Sequence, residues 1–356
     1  MASAGQAMRT KTSAAWLQEL CCPACKVQLR SGDGDVVCPG CGQSWPVRDG
    51  IPNFVSSFPY WGEIPQETMT DVLRQGAKSW RDALLTSEDP LVKRASEMIL
   101  NLDRANWSLL ADLPSQSRVL DIGAGMGANS HSLALRYDHV VAVEPVTERV
   151  RFMSQRFEQE GIRNVRIIQT SLWDLPFPDG SFDLIVMNGV LEWVATGRKG
   201  SPRRLQETAL KAAARLLKPG GVLYVGIENR FTAGYFVGYP DPHSGMPWVT
   251  VLPRLLANFY ARRKGAPEGY RNYLYSAAGY RSLLRKSGFA AVDCYLAIPS
   301  YNHPKFYVPL DDQVFSYFLR TFSGNSKGLR QIVRWFMLRL RLAKHLEYSF
   351  ALLATK

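Results

Sequence analysis

Three groups of side chains in this sequence have the types and spacing that chemistry needs. The first is Cys22-x-x-Cys25, followed twelve residues later by Cys38-x-x-Cys41. Two such knuckles suit four thiolates around one tetrahedral zinc ion, and with protein sulfur in every position its role is structural. Cys21 adjoins the first knuckle but is out of register, and Cys294 reads as a buried strand residue. The second group is Asp121 beside a glycine turn, Gly123, Gly125 and Gly127, with Glu144 further along the chain. Bare backbone next to a carboxylate lets a ligand lie close, and a second carboxylate about twenty residues on suits ribose hydroxyls. The third is Asp241-Pro-His243, with Glu192 as a second candidate base. A histidine oriented by a carboxylate can take a proton from a hydroxyl, although a hydrogen-bonded turn explains the same residues.

These groups need particular elements to hold them. Val119 to Ile122 is an apolar strand entering the glycine turn, and a helix begins near Asn129. Val140 to Glu144 is a second buried strand. The turn-rich run from Asp174 to Val186 leads into a fourth strand, followed by Asn188-Gly-Val-Leu-Glu-Trp193. Leu217-Lys-Pro-Gly-Gly precedes a fifth strand, Val222 to Ile227, which ends in Glu228-Asn-Arg230. Helical periodicity marks Thr68 to Lys78, Leu91 to Leu113, and a stretch capped by Ser276 and stopped by Gly288. A sixth strand, about Ala290 to Ile298, and a last one, Tyr348 to Thr355, complete the pattern. Short buried strands alternating with helices predict a parallel α/β sheet. Alone, Gly123-x-Gly125-x-x-Ala128 also fits a dinucleotide-binding fingerprint.

The four segments in this order, with "LPFPDGSFD" and "LKPGG" both present, resemble the class I S-adenosylmethionine (SAM)-dependent methyltransferases over about residues 105–356. The resemblance implies a seven-stranded Rossmann-like α/β sheet. It also implies a SAM site at Asp121, Gly123, Gly125, Gly127 and Glu144, with Ser171, Leu172 and Trp173 around the adenine and Asn188 after the fourth strand. Many members carry an aspartate where Ser171 stands. The run Cys41-Gly-Gln-Ser-Trp-Pro-Val-Arg-Asp-Gly-Ile-Pro-Asn-Phe54 is similar to the small zinc-ribbon proteins that activate transfer-RNA and translation-factor methyltransferases. The expected organisation is a flexible N-terminus (1–17), a zinc ribbon (18–55), a linker with capping helices (56–116) and a methyltransferase domain (117–356). Substrate-side insertions are expected at about 229–270 and 300–346.

Composition bounds the partners. The 356 residues are 46% hydrophobic and 21% charged, as in ordinary globular proteins. No apolar run is long enough to span a bilayer and no secretion signal is visible, so a cytoplasmic enzyme is expected. The net charge of +12 is concentrated in two stretches. Arg254 to Lys286 holds eight Lys/Arg against Glu268, and Arg320 to Lys344 holds seven with no acid. Such a field suits an anionic acceptor. Glu228-Asn-Arg and Asp241-x-His243-Ser-Gly245 resemble segments of methyltransferases of bacterial surface-glycan assembly, which implies O-methylation of a glycan, a lipid-linked carrier or a related metabolite. The apolar, aromatic and basic run at about 328–346 suits peripheral contact with the inner membrane face, or a helix packed on the protein. Ribosomal or transfer RNA is the second acceptor class, and a non-catalytic SAM-fold binding partner the third. Oligomeric state is not written in the sequence.

Overall fold

In the computed structural model, residues 16–56, 58–322 and 341–356 are described. The 328–346 run therefore lies largely outside the described residues. The chain divides into two compact units. Of the described residues, the first gathers those up to 105, 112–186 and 215–221, and the second gathers 106–111, 187–214 and those from 222 onward.

The first unit begins with a four-stranded antiparallel sheet, β1 (Arg30–Ser31), β2 (Asp35–Val37), β3 (Ser44–Arg48) and β4 (Ile51–Pro52). Helices α1 (Gln66–Gly76), α2 (Trp80–Leu85) and α3 (Pro90–Leu100) follow. Trp80 is buried against Phe152 with its ring edge-on at 5.9 Å, and Met69, Val72, Val92 and Ile99 complete that core. Asp89 caps α3 through the backbone N–H groups of Leu91 and Val92. The helical stretch expected to run from Leu91 to Leu113 stops at Leu100, and a 3-10 turn covers Leu102–Leu110. Asn101 causes the break: its backbone is extended and its side-chain oxygen accepts the Asp103 N–H at 3.0 Å, an Asx turn competing with helix.

Four parallel strands carry the rest of this unit, β5 (Arg118–Ile122), β6 (His139–Glu144), β7 (Val165–Gln169) and β8 (Phe182–Asn188), in the order β8–β5–β6–β7. Strands β5, β6 and β8 are almost wholly buried, which accounts for their mostly apolar sequences. Helix α4 (Ala128–Ala134) follows the glycine turn and α5 (Thr147–Gln159) follows β6. The small N-terminal sheet lies against the β7 edge: Asn53 bridges Gln169 in parallel, and Phe54 N donates to the Gln169 carbonyl at 2.8 Å. Cys21 N likewise donates to Pro176 O at 2.9 Å.

In the second unit, α6 (Pro202–Leu216) runs into β9 (Leu217–Glu228), followed by α7 (Ala233–Phe236), α8 (Arg254–Arg263) and α9 (Ala277–Lys286). Ser276 caps α9 through the Gly279 N–H, as its sequence predicts. Then come β10 (Ala291–Ser300), β11 (His303–Pro309), α10 (Asp312–Phe322) and β12 (Ser349–Thr355). These strands run in the order β11–β10–β12–β9, all antiparallel. The larger sheet thus has eight strands, not the seven expected. The additional strand is β11, inside the stretch read as an insertion. Proline at its second and last positions, which cannot donate to a ladder, hid it, and such residues are tolerated on an edge.

Candidate active site

Asp121 is the fourth residue of β5 and only 1% exposed. Burial pushes its carboxyl up to about 7, against the opposing hydrogen bond from Ser130 Oγ at 2.6 Å. Glu144 ends β6 and is also buried. Burial raises its carboxyl as well, while Arg149 and backbone donors act the other way. Its two oxygens accept from Gly125 N at 2.9 Å and Val146 N at 3.1 Å, which fastens the carboxylate to the glycine turn. Each oxygen retains acceptor capacity for a ligand hydroxyl.

The three glycines of the turn all have positive φ, but for different reasons. A side chain at Gly127 would strike Met153 Cγ at 2.8 Å and Phe157 Cζ at 2.9 Å, so this position serves packing. A Cβ at Gly125 would meet nothing within 4 Å, so the backbone there faces open space. Ser171, Leu172 and Trp173 form a turn directly after β7, whose last residue Gln169 is the register partner of Glu144. Ser171 caps that turn, accepting from Trp173 N and donating to Asp174 Oδ2. His131, by contrast, is buried beside Arg156, whose Nε donates to its Nδ1 at 3.2 Å, a structural role.

In the second unit, Glu192, Asp241 and His243 come together, with Glu228 joining them from the end of β9. His243 Nδ1 lies 3.0 Å from Asp241 Oδ1. The other Asp241 oxygen accepts from Ser244 N and Oγ, and Gly245 N closes the turn onto the Asp241 carbonyl. His243 Nε2 faces Glu192 Oε1 and Glu228 Oε2, each at 3.6 Å. The Trp193 ring stands edge-on to the imidazole at 4.9 Å. Burial alone would depress the imidazole, but the Asp241 hydrogen bond and the facing glutamates push it well above its ordinary value. Burial and the neighbouring Glu192 together raise Glu228.

In sequence Glu228 stands only as the first residue of Glu228-Asn-Arg230, and the structure separates the roles of the three. Asn229 donates to the carbonyls of His345 and Glu347, and Arg230 to those of Thr250 and Leu252. Only the glutamate enters the cluster, where Tyr301 donates to Oε1 at 3.0 Å. Its place at a strand end, the position Glu144 also has, was the signal available. Asn188, which ends β8, is 7% exposed, and both amide atoms lack a hydrogen-bond partner among the described residues.

The four sulfurs of Cys22, Cys25, Cys38 and Cys41 lie within 4.8 Å of one another. Cys22 and Cys41 are separated by 3.7 Å and Cys25 and Cys38 by 3.3 Å. Tight turns shape both knuckles, with Lys26 N on Cys22 O, Gly42 N on Cys38 O, and positive φ at Lys26 and Gly42. A tetrahedral ion with bonds of about 2.3 Å to sulfur needs donors about 3.8 Å apart, so the set has the size of such a site.

Residues 120–225 match the family model described as "Methyltransferase domain". The chain carries a methyltransferase domain. Among similar proteins, an uncharacterized methyltransferase, YcgJ, of Bacillus subtilis is 32% identical over 111 residues, 31% of this chain and 40% of that protein. A ubiquinone biosynthesis O-methyltransferase of Xylella fastidiosa is 33% identical over 126 residues, 35% of this chain and 46% of that protein. The chain thus spans less than half the length of these two curated relatives. The crystal structure of the Bacillus protein aligns with a TM-score of 0.39 at 17% identity, covering 74% of this chain and 98% of that one. The matched methyltransferase domain contains Asp121, the glycine turn, Glu144, Ser171, Leu172, Trp173, Asn188 and Glu192, whereas Glu228, Asp241 and His243 lie beyond it.

Proposed function

We propose that this protein transfers a methyl group from SAM to a hydroxyl of a glycan, a lipid-linked carrier or a related metabolite. The observation that carries the cofactor assignment is the fastening of Glu144 to Gly125 within the matched domain, beside the open face of that glycine. SAM supplies an electrophilic methyl on a sulfonium. Glu144 would accept from its ribose hydroxyls, Asp121 would face its ammonium, and Leu172 and Trp173 would flank its adenine with Ser171 beside the amine. Methyl transfer is in-line displacement, so positioning dominates, and a hydroxyl acceptor also needs its proton taken up. His243, Asp241, Glu192 and Glu228 form the buried acid–base cluster suited to that task. The Cys22, Cys25, Cys38, Cys41 set would hold a structural zinc.

The surface of the second unit favours a lipid-linked acceptor over RNA. On α8, Ala257 and Ala261 face inward while Leu255, Leu256 and Phe259 face outward, Leu255 being 84% exposed. Nearby in sequence Val237, 75% exposed, and Trp248 are also exposed, and Gly238 packs on the Trp248 ring. Exposed Arg262, Arg263 and Lys264 finish the helix. Large apolar side chains beside cations suit an anionic bilayer, apolar groups inserted and cations at the headgroups. No helix among the described residues is long and apolar enough to cross a membrane. RNA remains the second reading because the +12 charge suits a phosphate backbone.

Transfer of labelled methyl from SAM into a fractionated cell extract tests the function. Ribonuclease-resistant label in the lipid or carbohydrate pool is expected, and label lost to ribonuclease would replace this acceptor with RNA. A protein that fails to bind SAM would belong to the non-catalytic class.

A further inference from the structure

We infer that Glu192, Glu228 and His243 form a binding site for one divalent cation, with Asp241 as the residue that positions the imidazole. The three donors come from separate segments: the loop after β8, the end of β9 and the Asp241–Gly245 turn. Glu192 is 1% exposed, and neither of its carboxylate oxygens has a hydrogen-bond partner among the described residues. Glu228 is 3% exposed; Tyr301 donates to Oε1, and Oε2 has no hydrogen-bond partner among the described residues. Carboxylates out of water are among the costliest groups a fold can carry, and the one imidazole that faces both glutamates at 3.6 Å can offset only a single negative charge.

The distances fit an ion better than a network of hydrogen bonds. His243 Nε2 stands 3.6 Å from Glu192 Oε1 and 3.6 Å from Glu228 Oε2, too far for either to be a good hydrogen bond. Donors that share one ion at about 2.1–2.2 Å sit about 3.0–3.6 Å apart, depending on coordination geometry. Orientation agrees. Nδ1 on Asp241 directs Nε2 to the glutamates, and Ser244 holds Asp241 through two further bonds. A carboxylate on the far nitrogen of an imidazole is the usual support of a metal-bound histidine. Charge agrees as well, because three carboxylates surround one imidazole and a proton on the ring cannot balance them. Two oxygens and one nitrogen suit a first-row divalent ion such as Mn(II) or Zn(II), and three protein donors leave coordination positions open.

In the proposed reaction the ion would receive the acceptor hydroxyl at an open position and ease the loss of its proton to water, with the imidazole then serving as a ligand in place of a base. That role rests on the methyltransferase reading; the binding of the ion does not. The test uses the full chain with its thiolate site metallated and neither SAM nor acceptor added, titrated with Mn(II) and followed by the loss of the free-ion paramagnetic resonance signal. One Mn(II) per chain is expected, since Mn(II) does not compete for four thiolates. Glu192→Gln should remove that uptake, and Asp241→Asn should weaken it about ten- to a hundredfold. Thiolate-site metal content and SAM affinity, measured on the same samples, report whether each variant is folded. Absence of Mn(II) uptake by the folded parent chain, or uptake unchanged in folded Glu192→Gln, would overturn the site. Loss of SAM binding would overturn the methyltransferase reading while leaving the cation result standing.

Discussion

Two glycines two positions apart should fail in different ways. Gly125→Ala adds a methyl to open space, so its larger effect is expected on SAM affinity, with a stability cost of only about 1 kcal/mol from the positive φ. Gly127→Ala drives a methyl into Met153 and Phe157 and should cost about 1–3 kcal/mol more in stability. Calorimetric SAM titration beside thermal melts separates the two. Glu144→Ala removes the acceptor for Gly125 N and should weaken SAM about ten- to a hundredfold, the scale of a charged hydrogen bond. His131 supplies the pH dependence. Burial, then repulsion by Arg156, lowers its imidazole from 6.5 to about 4. The unfolded chain therefore binds a proton that the folded chain refuses between these values. Stability is full above pH 6.5 and falls as the pH drops towards 4, by up to about 3 kcal/mol from this group. Urea melts at pH 7 and pH 5 should show that loss, and His131→Gln should flatten it.

At the scale of elements, the thiolate ribbon and β7 stand or fall together. β4 leads through Asn53 and Phe54 onto the Gln169 edge, so the ribbon covers an otherwise open strand. A sheet this small has little core of its own, and a bound metal would supply much of its folding energy. Chelation, or Cys38→Ser, should release one zinc equivalent and lower the melting temperature of the whole protein by several degrees. An unchanged melting temperature after complete metal loss would separate the ribbon from the domain behind it. Much of this level was legible in the sequence, because knuckle spacing, capping residues and buried apolar strands are local signals. Ser276 and Gly288 marked both ends of α9. What was not legible depended on competition or partners. The Asn101 side chain ended a helix whose periodicity continued, and β11 is a strand only because β10 offers it an edge. Glu228 was hidden likewise, since nothing in sequence spacing shows that residues 192, 228 and 243 converge.

For the whole molecule, the proposed bilayer contact predicts a dependence on both salt and lipid charge. Vesicles with anionic phosphatidylglycerol should float the protein, neutral phosphatidylcholine vesicles should do so less, and salt should weaken the binding. Leu255→Ser with Phe259→Ser should abolish flotation without lowering the melting temperature, because both side chains are already exposed. Flotation that persists in this variant would show that α8 is not the contact. The described parts of the chain also differ in how they were readable: the matched domain announces itself by motif, while the outward apolar face of α8 emerges only once Ala257 and Ala261 are seen to be buried.

The position of β12 has a consequence for how the protein is made. Residues 349–355 lie between β9 and β10, pairing Phe350 with Ile227 on one side and with Leu296 on the other. The two flanking strands have no register with each other, so both keep open edges until a segment more than a hundred residues after β9 arrives. Such distant closure is slow, and in the interval β9 and the β10–β11 hairpin are exposed to pairing with neighbouring chains. A ribosome-bound intermediate stopped before residue 349 should therefore be a strong client for chaperones that shield strand edges, and emergence of residues 349–355 should end that dependence.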